Sequence, residues 1–174
     1  TIVKTRVIAR TKKICRIDYE SPRKAYCIHY NDVWMKGVAA AVAEADAVIV
    51  SDYAKGVITQ ELVDVIVTLG KQHDTLVAID PKPARHLDLK GAGLMTPNRA
   101  EALELAGILD LPHGETYPLA EVARRIDERF APRYLVITLG ADGMAICRGG
   151  VVEHTLATAA REVFDVSGAG DTVI

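Results

Sequence analysis

The spacing of apolar residues changes period along this chain. "TIVKTRVIAR" (1–10) and "KKICRIDY" (12–19) alternate branched apolar and polar side chains, a period of two that predicts two strands of a one-faced sheet. "SPRKAY" (21–26) and "HYND" (29–32) break the alternation and read as irregular. From Val33 the period becomes helical in "VWMKGVAAAVAEA" (33–45), followed by a short, largely apolar strand in "DAVIVSDY" (46–53). "TQELVDVIVTLGKQH" (59–73) is a second predicted helix, with apolar positions at Leu62, Val63, Ile66, Val67 and Leu69. Strand-like "TLVAIDPK" (75–82) and "AGLMTPN" (92–98) precede helical "NRAEALELAGI" (98–108) and a loop holding Pro112 and Gly114. Helical "PLAEVARRIDERF" (118–130) and strand-like "RYLVITLG" (133–140) follow. "GMAICRGGVVEHTLA" (143–157) predicts a hairpin turning at Gly149-Gly150.

Strands with few polar positions, alternating with amphipathic helices, imply a parallel sheet covered on both faces. The expected fold class is therefore α/β, a three-layer α/β/α sandwich. Residues 1–30 would form a small β-flap on an α/β core of residues 31–174, the whole making one domain. In such sheets ligands bind beyond the carboxyl ends of the strands. Asp52, Asp80, Asn98, Thr138 and Asp171 each follow or close an apolar strand, so five polar groups are expected on one rim.

Composition narrows the function classes. With 174 residues, 49% hydrophobic but only 5% aromatic, the chain can bury one core built mainly of Ala, Val, Leu and Ile. A net charge of −2 gives no support to a nucleic-acid binder or a membrane-surface protein, and no apolar run is long enough to cross a bilayer. Cys15, Cys27 and Cys147 are scattered without a CxxC pair or zinc-type spacing, which points to reduced thiols and a cytoplasmic setting. Charge is uneven, however. Residues 1–24 carry eight Lys or Arg against Asp18 and Glu20, either as a solvated hairpin or as a surface facing an anionic ligand such as a phosphorylated metabolite.

The sharpest candidate chemistry lies in "SGAGD" (167–171). Gly168 and Gly170 remove Cβ obstruction, so backbone N–H groups can converge on an anion at a helix start. An aspartate inside such a cradle would repel a ground-state phosphate. It fits if Asp171 accepts the proton of an attacking hydroxyl while the N–H groups hold the transferring phosphoryl oxygens. The alternative is a helix cap in which Asp171 complements the dipole. "NRAE" has the same two readings: a capping box between Asn98 and Glu101, or a nucleotide-phosphate contact in which Glu101 holds Mg²⁺ through water. "TLGADGM" (138–144) reads either as a hairpin turn at Asp142-Gly143 or as a nucleotide site lined by Thr138 and Gly140. "SDYAKG" and "DPKP" each place an acid and a lysine past a strand end, where Lys55 and Lys82 can steady phosphate charge.

The order of these pieces is more specific than any one of them. The sequence resembles the ribokinase-like, PfkB carbohydrate kinases: "DVSGAGDTV" is similar to the family's second signature, "NRAE" to its N-x-x-E element, and "TLGADGM" to its nucleotide-binding turn. Within the family, "RVIARTKKICRIDYE", "SDYAKGVIT", "DPKP" and "LMTPNRAEALELAG" are most similar to the heptose-7-phosphate kinase branch, whose domain is often fused to a nucleotidyltransferase.

The resemblance implies a ribokinase-like (Rossmann-like) sandwich, here truncated at both ends, and an ATP- and Mg²⁺-dependent sugar kinase. Asp171 would be the catalytic base, with Gly168, Ala169 and Gly170 as anion hole. Asn98, Arg99, Ala100 and Glu101 would contact ATP, with Glu101 on the metal and Thr138, Gly140 and Gly143 near the nucleotide. Arg16 and Asp18 in the flap, with Asp52, Lys55 and Lys82, would meet the sugar phosphate. A homodimer through the β-flap is also implied. The branch's usual Gln-Gln before Arg-x-Asp is Lys12-Lys13 here, and the family's Gly-Gly sugar-binding signature is absent. The 174 residues alone are accordingly expected to be inactive. Another ribokinase-like kinase, or a non-catalytic binding module of the same fold, is the alternative.

Overall fold

The structure, a computed structural model, describes residues 2–10, 12–22, 26–108, 111 and 115–158. The basic N-terminal segment forms β1 (Val3–Ala9) and β2 (Lys12–Tyr19), an antiparallel pair that makes its own two-stranded sheet. Its register pairs Val3 with Tyr19, Thr5 with Ile17 and Val7 with Cys15, placing those side chains on one face. Lys4, Arg6, Arg16 and Asp18 occupy the other.

The remaining elements are α1 (Asp32–Glu44), β3 (Ala47–Ser51), α2 (Gln60–His73), β4 (Leu76–Asp80), β5 (Leu94–Met95), α3 (Arg99–Leu105), α4 (Leu119–Phe130), β6 (Tyr134–Thr138), β7 (Met144–Arg148) and β8 (Val151–Leu156). The last six strands form one sheet in chain order. β3 to β6 are parallel, and β7 and β8 are added antiparallel. The expected hairpin is present: β7 and β8 turn at Gly149 and Gly150, both at positive φ, the backbone that a two-residue turn between twisted strands requires.

Helix boundaries follow local chemistry. The Asn31 side chain accepts the Trp34 N–H at 2.9 Å to start α1, and Thr59 accepts the Leu62 N–H at 3.3 Å to start α2. α2 ends where Asp74 turns left-handed (φ 55), and the Thr75 hydroxyl then meets the Val42 and Ala45 carbonyls, tying α1 to the entry of β4. β5 is shorter than its apolar run suggests. Pro97 has no N–H to offer, and single bonds from Gly93 to Val77 and from Thr96 to Ile79 flank the two ladder residues.

Alternate strand residues Val50, Val77, Ile79, Met95, Leu135, Ile137, Ala145 and Cys147 point into one core with Val63 and Ile66 of α2, Leu105 of α3, and Val122, Ile126 and Phe130 of α4. Because crossover handedness is fixed and strand order is sequential, the crossover helices fall on one side of the sheet. On the other face among the described residues, Ile49 is 55% exposed and Leu76 36%.

Candidate active site

The carboxyl ends of β3, β4, β5 and β6 lie on one rim, because the four strands are parallel. After β5, Asn98 caps α3: its Oδ1 accepts the N–H groups of Ala100 and Glu101, each at 3.0 Å, and Glu101 Oε2 accepts the Asn98 N–H at 2.9 Å. The reciprocal capping box read from "NRAE" is thus formed, and it fixes the Glu101 carboxylate at the rim. Its other oxygen, Oε1, is 2.5 Å from Lys82 Nζ, which is also 3.9 Å from Asp80 Oδ2 at the end of β4. Burial lowers the Lys82 pKa most, but the Glu101 hydrogen bond and the charges of Glu101, Asp80 and Asp52 together outweigh it, so the net shift is upward.

The "TLGADGM" turn comes to the same place. Asn98 and Thr138 form a parallel bridge, with the Thr138 N–H on the Pro97 carbonyl at 3.1 Å, and Arg99 Nη2 reaches Asp142 Oδ2 at 2.7 Å. The Arg99 guanidinium lies 4.9 Å from the Tyr117 ring centroid, and the Tyr117 hydroxyl donates to the Arg99 carbonyl at 3.2 Å. Burial pushes the Tyr117 phenol up to about 12, against the opposing Arg99 charge. Gly140 (φ 66) faces open space, with nothing within 4 Å of where a Cβ would stand. Gly143 (φ 89) is packed against Leu156, whose carbonyl oxygen lies 1.8 Å from that position.

The substrate-side residues are placed differently. Asp52 is 2% exposed. One oxygen accepts the Ala54 N–H at 2.7 Å, and the other lies 3.8 Å from Arg85 Nε. Arg85 Nη2 also donates to the Ile58 carbonyl at 2.6 Å. Lys55 pairs with Glu20, tying the end of the flap to the "SDYAKG" loop, and Arg16 pairs with Asp18 at 2.9 Å along β2. Gly168, Ala169, Gly170 and Asp171 lie outside the described residues.

Two groups at this rim gain a role only from the fold. In sequence Asp80 reads only as a strand end, and Arg85 has no motif around it. The signal for Asp80 was present in "DPKP", where its acid stands two residues before Lys82. Nothing local marks Arg85, since its partner is 33 positions away in sequence.

The donor set fits a divalent metal ion. Asp80 and Glu101 already converge on one cation, the Lys82 ammonium, and oxygen donors suit Mg²⁺. Among the described residues no cluster of three or more His, Cys, Asp or Glu is present, and Mg²⁺ commonly completes its coordination with water and phosphate oxygens.

The family model for pfkB family carbohydrate kinases matches residues 25–174. The chain belongs to that family. Among curated relatives, this pfkB-family chain is 37% identical over 171 residues to the "Bifunctional protein HldE" of Syntrophotalea carbinolica, covering 98% of the chain and 34% of the relative. It is 40% identical over 176 residues to the protein of the same name from Azorhizobium caulinodans, covering all of the chain and 35% of the relative. The chain thus spans about a third of the length of the curated relatives it matches. Its fold is ribokinase-like. It superposes on ribokinase from Giardia lamblia with a TM-score of 0.70 at 20% identity, over 97% of this chain and 51% of that one. Arabidopsis thaliana ribokinase, solved with ribose and ATP, gives 0.62 at 18% identity, over 92% and 50%. No helix among the described residues is long and apolar enough to cross a membrane.

Proposed function

We propose that this chain is the kinase portion of an enzyme that transfers the γ-phosphoryl group of ATP to D-glycero-β-D-manno-heptose 7-phosphate, at the anomeric hydroxyl, giving the 1,7-bisphosphate that feeds ADP-heptose and lipopolysaccharide core synthesis. The observation that carries the kinase reading is the joining of "NRAE" and "TLGADGM" at Asn98 and Thr138, beside the Asp80–Lys82–Glu101 cluster, on the rim where a parallel sheet receives ligands. The heptose is supported by the bifunctional HldE relatives, whose name also accords with a fused nucleotidyltransferase domain.

Asn98, Arg99 and Ala100 hold the nucleotide at the start of α3, while Thr138, Gly140 and Gly143 shape the turn beside it. Glu101, with Asp80, would hold Mg²⁺, which supplies charge neutralisation for the polyphosphate. Asp171 takes the proton of the sugar hydroxyl, and the Gly168–Gly170 N–H groups receive the transferring phosphoryl oxygens. Arg16, Asp18 and Lys55 face the sugar phosphate from the flap side, and Asp52 supports them through the loop it holds. The apolar flap face that carries Val3, Val7 and Ile17 accords with a homodimer through the flap. The setting is cytoplasmic.

The test is ATP turnover by the intact protein over a panel of sugar phosphates. Highest turnover with the heptose is expected, and preference for ribose or fructose 6-phosphate would refute that substrate. Asp171→Asn should abolish transfer while leaving ATP binding nearly intact; unchanged turnover refutes the base.

A further inference from the structure

Lys82 stands where two rim acids converge. Its Nζ is 2.5 Å from Glu101 Oε1 and 3.9 Å from Asp80 Oδ2. The Glu101 carboxylate is not free to leave, because its other oxygen holds the Asn98 N–H in the capping box. Asp80 is fixed as the last residue of β4, paired in register with Ser51. The ammonium is the adjustable member: it ends a flexible four-carbon stem, on a side chain 31% exposed that starts just past β4.

We propose that Lys82 is an internal counter-cation that competes with a divalent metal ion for the Asp80–Glu101 pair, so that metal is admitted together with a nucleotide polyphosphate rather than ahead of it. A divalent ion arriving at these oxygens brings two positive charges to within a few ångströms of the ammonium, and the repulsion forces the ammonium out. Alone, that exchange breaks the Lys82–Glu101 ion pair without replacing it. When polyphosphate arrives too, its oxygens receive the displaced ammonium and complete the metal's coordination. Free metal therefore binds weakly, and metal and nucleotide reinforce one another. The role of the polyphosphate rests on the kinase reading above; the competition itself needs only the three side chains.

The experiment is Mn²⁺ binding to the intact protein without nucleotide, read from the electron paramagnetic resonance signal of free Mn²⁺. Lys82→Met should tighten Mn²⁺ binding about tenfold or more, whereas Lys82→Arg, which keeps the charge, should leave it near the wild-type value. Adding Glu101→Gln to Lys82→Met should remove the gain, locating the ion at this pair. If Lys82→Met does not fold, Lys82→Gln gives the same readout. Unchanged Mn²⁺ affinity in the neutral variant, or equal tightening in Lys82→Arg, overturns the proposal. Should the gain appear while the wild-type protein binds no ATP, the competition stands and the kinase reading falls.

Discussion

Gly140 and Gly143 sit three residues apart in one turn, yet an added methyl should act on stability at one and on ligand affinity at the other. At Gly143 the backbone is at φ 89 and ψ −128, a region that only glycine adopts readily. Placing alanine there costs about 1–3 kcal/mol for the backbone alone. Its Cβ would also stand 1.8 Å from the Leu156 carbonyl oxygen and 2.9 Å from the Ala157 carbonyl carbon, both backbone atoms that cannot rotate aside. Forcing β8 away from the turn adds about 1–3 kcal/mol. Together Gly143→Ala should lose about 2–6 kcal/mol, a large share of the roughly 5–15 kcal/mol that holds a domain folded. Gly140 is at φ 66, where alanine costs about 1–2 kcal/mol, and its Cβ meets nothing within 4 Å. The open space there is where the nucleotide is proposed to approach, so Gly140→Ala should weaken ATP binding about tenfold, or ~1.4 kcal/mol. Urea unfolding of the intact protein, read with ATP titration by calorimetry, separates the two effects. Equal stability losses in the two variants would refute the steric argument. Undiminished ATP affinity in a folded Gly140→Ala would refute the placement of the nucleotide beside this turn.

The Asp52–Arg85 pair should behave as a unit: Arg85→Met, which strands a buried carboxylate, should cost about 3–5 kcal/mol, and adding Asp52→Asn should restore part of it. Additive losses in denaturant melts would show that the two side chains are not coupled. Cys147, 1% exposed, has its thiol pushed by burial from 9.0 to about 11, whereas Cys15 and Cys27 are exposed. In the native protein at pH 8, a disulfide reagent should modify Cys15 and Cys27, and Cys147 only on unfolding. Because the folded value is the higher one, the unfolded chain loses its Cys147 proton first, so this thiol's contribution to stability is whole below pH 9 and declines as pH rises toward 11. Cys147→Ala should remove that part of the slope, as followed by thermal melts across the range.

Local sequence determined the elements whose energetics are local. α2 and α4 follow from apolar spacing because one face of each is buried, and the β7–β8 turn follows from two glycines that accept positive φ. The capping box was legible as well, since Asn98 and Glu101 are one helical turn apart and satisfy each other's backbone. What those residues serve required the sheet. Only the parallel register of β4, β5 and β6 sets Asp80, Lys82, Asn98 and Thr138 on one rim, and only folding brings Arg99 to Asp142 across 43 positions. The same holds for Asp52 and Arg85. A carboxylate after a strand and an arginine in a short turn look solvated when each is read alone. Their shared burial depends on how the loop after β4 folds over the end of β3, and no spacing in the chain encodes that contact, because charge pairs act through distance in space rather than separation in sequence.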